Sequence, residues 1–167
     1  DHRNYFSSHP LYGSCIGVCV LPHHFLIMHF LTFSGYNYSK KRCERIVNWF
    51  VDKHLSNYKL IINVDHKGLL REGVFGWVWA ADCDYRPRDF EMEIHNRMTP
   101  EHYTKTILHE LWHVYQHVKG ALKDKRGKRF WKGVDHSGMD YEDQPWEQQA
   151  HHMEEVLYQE YISYLGE

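Results

Sequence analysis

One segment limits what this chain can become. Thr106-Ile-Leu-His-Glu-Leu-Trp-His-Val-Tyr-Gln-His117 sets a His-Glu-x-x-His spacing, His109 to His113, inside a pattern that repeats as a helix. Thr99 suits the N-cap, Pro100 the first helical position, and Glu101 complements the positive end of the helix dipole. Ile107, Leu108, Leu111, Val114, Tyr115 and Val118 recur with the helical period, and Gly120 offers a stop. On such a helix His109 and His113 stand one turn apart on the same face. Two imidazoles so placed can hold one zinc ion, while Glu110 addresses a water on that ion. The spacing therefore points to hydrolytic metal chemistry.

A catalytic zinc needs a third protein ligand and an open position. The metzincin route requires glycine at 116 and histidine at 119, and the chain has Gln116 and Lys119. His117 continues the spacing but lies about 12 Å along the axis from His109. It reads as a surface residue or a support to a ligand. Downstream, Pro145 marks a new helix, with Ala150, Met153, Val156, Leu157 and Tyr161 as its apolar pattern. Glu147 falls in its first turn, either as the third ligand or as a solvated carboxylate serving the dipole. Ala150 is small enough for two helices to approach closely. His151, one turn beyond Glu147, is placed to hydrogen-bond a metal ligand. His136, in Val134-Asp-His-Ser-Gly138, is the alternative third ligand.

His109-Glu110-Leu-Trp-His113 followed by Pro145-Trp146-Glu147-x-x-Ala150 resembles the small gluzincin-type metallopeptidases of the zincin superfamily. It is most similar to short phage-encoded members that carry a Trp-Lys-Gly between the two motifs, as at Trp131-Lys132-Gly133. The likeness spans roughly residues 45 to 160. A more distant resemblance is to the SprT-like metallopeptidases, whose third ligand is a histidine before glycine; here Ser137 separates His136 from Gly138. The gluzincin resemblance implies zinc on His109, His113 and Glu147, with Glu110 as general base in peptide-bond hydrolysis. It implies a peptide or protein substrate, and a third strand that forms a sheet edge beside the cleft. Two other readings remain: a zinc domain without catalysis, and an interaction protein such as a phage assembly component.

The 167 residues predict one domain, and 43% hydrophobic with 16% aromatic content suffices for a core. A formal charge of −2 argues against wholesale attraction to nucleic acid or membrane. The basic connection over 119–132 reads as a solvated hairpin, with Lys128–Val134 as one strand and Gly127 in the turn. Cys15, Cys19, Cys43 and Cys83 show no paired spacing and read as reduced thiols of a cytoplasmic protein. Residues 1–27 have no period and read as an N-terminal arm or upstream translated segment, with Met28 as a natural start. The apolar run Ile16–Phe33 is broken by Pro22, His23, His24 and His29, a poor membrane span.

The expected fold class is α+β: a small zincin-like core over residues 28–167. An N-terminal helix runs from an N-cap at Ser39 to about Leu55. Strands follow at Tyr58–Val64, Val74–Ala81 (with Gly76 as a bulge) and Asp89–Asn96. These belong to a three- to four-stranded mixed sheet. The His-Glu-x-x-His helix and the helix bearing Glu147 complete it. Trp112 and Trp146 are expected to pack between those two helices.

Overall fold

The computed structural model describes residues 29–82 and 85–166. The arm expected over 1–27, Met28, and Cys15, Cys19 and Cys83 lie outside the described residues. The fold is α+β, with three helices, a mixed four-stranded sheet and a small antiparallel sheet of three strands. Strand β1 (Phe30–Gly35) leads into α1 (Lys40–His54), then β2 (Ile61–Lys67), β3 (Gly76–Ala80) and β4 (Asp89–His95). Helix α2 (Pro100–Val118) follows. Next come β5 (Leu122–Lys125), β6 (Lys128–Trp131), β7 (Val134–Asp135), a 3-10 turn (Tyr141–Asp143) and α3 (Pro145–Gly166).

Local chemistry sets the helix boundaries. The Ser39 hydroxyl accepts from Arg42 N at 3.3 Å, and the Thr99 hydroxyl accepts from His102 N at 3.3 Å. Each satisfies a backbone donor that the first turn leaves unpaired. Leu55 closes α1 by donating its N–H to Val51 O.

The large sheet has the order β1-β2-β4-β3; only β3 runs antiparallel to its neighbour. Its inner face carries Ile62, Val64, Phe90, Met92 and Ile94, all at most 1% exposed. Against it pack Ile46, Val47 and Phe50 of α1 and Ile107, Leu108, Leu111 and Val114 of α2, forming the single main core. Among the described residues, helices therefore cover one face of the sheet.

Three expectations are corrected here. The third predicted strand, Asp89–Asn96, is not an edge: it forms β4, which is central, and the edge beside α2 is β3. The charges of β4 belong to the open sheet face, where Asn63 donates to Glu91 at 2.8 Å and Lys67 and Trp77 both donate to Glu93. Gly76 is not a bulge, because β3 stays in continuous register from Gly76↔Ile94 to Ala80↔Phe90. The strand predicted over Tyr58–Val64 begins three residues later, at Ile61, where pairing to β1 and β4 starts.

The basic connection is three strands rather than one hairpin. Two-residue turns at Arg126–Gly127 (φ 52° and 75°) and Lys132–Gly133 (φ 48° and 87°) fold it twice. Positive φ at both central residues matches the right-handed twist of hairpin strands. Leu122 and Trp131 of this sheet bury against Trp146 at the start of α3, a second, smaller core.

Candidate metal centre

Helix α2 crosses between the core and a cleft. Toward the cleft it presents His109, Glu110, His113 and His117, each only 6–7% exposed. Helix α3 packs beside it, with fully buried Ala150 in the contact. This close approach brings Glu147, in the first turn of α3, onto the two imidazoles. His109 Nε2 and His113 Nε2 are 3.1 Å apart, and Glu147 Oε2 is 3.2 Å from the first and 3.3 Å from the second.

The spacing suits a metal ion. A cation with tetrahedral bonds of 2.0–2.1 Å would set its ligand atoms roughly 3.3 Å apart. The far nitrogens of both rings have acceptors of their own. His109 Nδ1 lies 2.8 Å from Glu154 Oε2, and His113 Nδ1 lies 2.8 Å from Gln116 Oε1. Donation through Nδ1 leaves each Nε2 as a lone pair facing the third atom, a carboxylate oxygen. Three acceptors so close need a shared proton or a cation. The charge balance says the same: burial pulls the His109 pKa down, yet hydrogen bonds to Glu147 and Glu154 outweigh it and raise it to about 10. Burial pushes Glu147 up, but the two imidazoles pull it well below the usual carboxylate range. The buried His and Glu groups can thus hold a metal ion.

Glu110 stands apart from the ligand atoms. It lines the same cavity, and among the described residues no hydrogen bond engages its carboxylate. Burial raises its pKa above the ordinary carboxylate value. Edge strand β3 passes directly over it: a Cβ built on Gly76 would sit 3.0 Å from Glu110 Oε1 and 3.0 Å from the Thr106 methyl. Glycine is present there because strand and helix approach so closely, which is the correction to the bulge.

The structure separates the remaining candidates. His136 is outside the cluster; it packs edge-on to Trp146 at 6.3 Å between ring centroids, and its backbone N–H donates to Arg129 O. Among the described residues it is not one of the groups close enough to share an ion with His109 and His113. His151 makes no hydrogen bond to Glu147 among the described residues. Its Nε2 is 3.5 Å from Tyr141 Oη, its Nδ1 is 3.6 Å from Glu154 Oε2, and its ring lies 4.6 Å from the His109 ring. A full turn of helix leaves it beside Glu147 but aimed past it. His117 is buried rather than a surface residue, and burial lowers its pKa to about 4. Trp112 does join the helices, stacking on Tyr115 and donating to Gln149 Oε1 at 3.0 Å. Trp146 instead faces the small sheet.

Sequence reasoning missed Glu154, Gln116 and Tyr141. The Tyr141 hydroxyl donates to Glu147 Oε2 at 2.9 Å. Glu154 had a readable signal, since Glu147, His151 and Glu154 fall at i, i+4 and i+7, one face of α3. Gln116 is three residues past His113, again within reach on a helix.

The centre opens into a cavity of about 570 Å³ between α2, α3, β3 and the small sheet. Among the described residues no helix is long and apolar enough to cross a membrane. The chain matches no protein-family model, no curated protein and no solved structure.

Proposed function

We propose that the protein is a zinc-dependent peptidase. The observation that carries this reading is the meeting of His109, His113 and Glu147 at 3.1–3.3 Å beside a buried, unbonded Glu110. Two imidazoles and a carboxylate serve iron(II) as well as zinc. The free carboxylate next to them favours the hydrolytic metal, because hydrolysis needs a base at that point. The resemblance to small gluzincins agrees with the same assignment. A zinc ion held by His109, His113 and Glu147 would supply Lewis acidity, lowering a water's pKa to about 7 and polarising a carbonyl.

The chain's own residues do the rest. Glu110, raised by burial, accepts the water's proton and returns it to the leaving amine. Glu154 and Gln116 hold the imidazoles in the Nδ1–H tautomer and in orientation. Tyr141 donates its hydroxyl to Glu147 and so steadies the third ligand. Edge strand β3 has one side without a strand partner among the described residues, where an extended peptide would add as a further strand.

The test uses the zinc-loaded protein against a broad peptide library, read by mass spectrometry. The wild type should cleave. Glu110→Gln should keep one zinc per chain and lose about 10²–10⁴-fold of the rate. Zinc without cleavage in the wild type supports the non-catalytic zinc domain, and undiminished cleavage by Glu110→Gln removes the base.

A further inference from the structure

The cleft extends past the metal ligands to a second compartment, lined by His117, Leu122, Arg129 and Trp146. Nothing in the proposed hydrolysis uses these residues. Two fixed cations line the whole cavity, and their situations differ. Lys105 is matched by two carboxylates, Glu101 and Glu155, each at 2.8 Å. Arg129 has one: Asp124 takes its Nε at 2.6 Å and its Nη2 at 3.0 Å. A guanidinium has five N–H donors, so three are left without a partner among the described residues.

The guanidinium is also firmly placed. Its carboxylate partner sits across the β5–β6 ladder at the paired position Asp124↔Arg129. Its planar head lies over the Trp146 ring, 5.6 Å from the centroid. Trp146 is 1% exposed and supplies the wall; its indole N–H has no acceptor among the described residues and is closed off from the cavity. His117, buried, lines the same cavity. The compartment offers three free guanidinium donors and an aromatic wall; Asp124 is the one carboxylate on the guanidinium among the described residues, and Glu110, Glu147 and Glu154 lie at the metal end. That chemistry fits a carboxylate, gripped in the forked geometry arginine favours.

We infer that the Arg129–Trp146 compartment is a specificity subsite that takes a carboxylate of the substrate: an acidic side chain near the scissile bond, or the peptide's own C-terminus. This rests on the peptidase reading, and the test separates the two. Zinc-loaded Glu110→Gln protein binds without turnover. Its affinity is measured for a neutral blocked hexapeptide in which a single Glu or Gln is walked through each position. A second series compares a free with an amidated C-terminus.

One register should bind the carboxylate at least tenfold more tightly than its amide, and the series in which it appears identifies the source. Arg129→Gln, which keeps a donor for Asp124, should shrink the ratio to within twofold. Arg129→Lys, which keeps the charge without the fork, should leave an intermediate ratio. A flat profile, or a preference that survives Arg129→Gln, overturns the subsite. Unselective cleavage of neutral and acidic peptides by the wild type sinks the subsite and leaves the peptidase. Selective binding with no cleavage by the wild type does the reverse.

Discussion

The two sides of α2 are almost equally buried and chemically opposite. Ile107, Leu108, Leu111 and Val114 on the core side are 0% exposed; His109, Glu110, His113 and His117 on the cleft side are 6–7% exposed. Burying an aliphatic side chain stabilises a fold by about 1.5–3 kcal/mol. Burying an ionisable group costs free energy unless a partner or a cation compensates it. One side thus anchors the helix, and the other uses that anchorage to hold charges close together. The polar side is a site because the apolar side leaves it no freedom to relax.

Perturbing each side should give different signatures. Leu111→Ala should destabilise by about 2–5 kcal/mol in denaturant titration, yet the folded fraction should still take one zinc. Loss of zinc from that folded fraction would mean the two sides are not separable. Glu154→Ala should weaken zinc affinity about 10–100-fold against a competing chelator, and should also lower the stability of the metal-free protein below pH 6.5, where His109 is charged. An unchanged affinity would reduce Glu154 to a passive neighbour.

pH should divide metal-free from metal-loaded protein. The His109 pKa is raised from 6.5 to about 10, so stability from its charged pairing is full below 6.5 and lost as pH climbs toward 10. Glu147 is depressed from 4.5, so its contribution is present above that value and lost as the solution becomes more acid. Zinc needs His109 deprotonated, so its apparent affinity should rise by about tenfold per pH unit below 10. Melting curves should therefore fall with pH from 6.5 to 10 without zinc and stay nearly level with zinc, because the rising affinity offsets the lost pairing; parallel profiles would refute the coupling. The smallest effect expected is on Glu110. Replacing it with Gln should stabilise the metal-free protein by about 0.5–2 kcal/mol, as relief of a strained site does. A loss of stability would show that the carboxylate serves the fold.

Legibility in the sequence follows the range of the forces. The caps at Ser39 and Thr99 and the proline at helix position 100 are local, and they mark α1 and α2 to within a residue or two. The pairing of His109, His113 and Glu147 was readable because one helical turn and one helix start supply it. β1 was not, because Phe30–Gly35 acquires strand character only through parallel pairing to β2, thirty residues on. The exchange of edge between β3 and β4 has the same origin: alternating charge on β4 marks an open face, and the pattern along one strand does not say how many neighbours it has. His117 was misplaced because the small sheet that covers it is built by two tight turns beyond the helix.

The central claim is that α2 and α3 close around one ion. Anomalous diffraction at the zinc edge, from crystals of zinc-loaded protein, tests it most directly. A single peak about 2.0–2.2 Å from His109 Nε2, His113 Nε2 and a Glu147 oxygen is expected. A peak at His136, or none between the two helices, would contradict it.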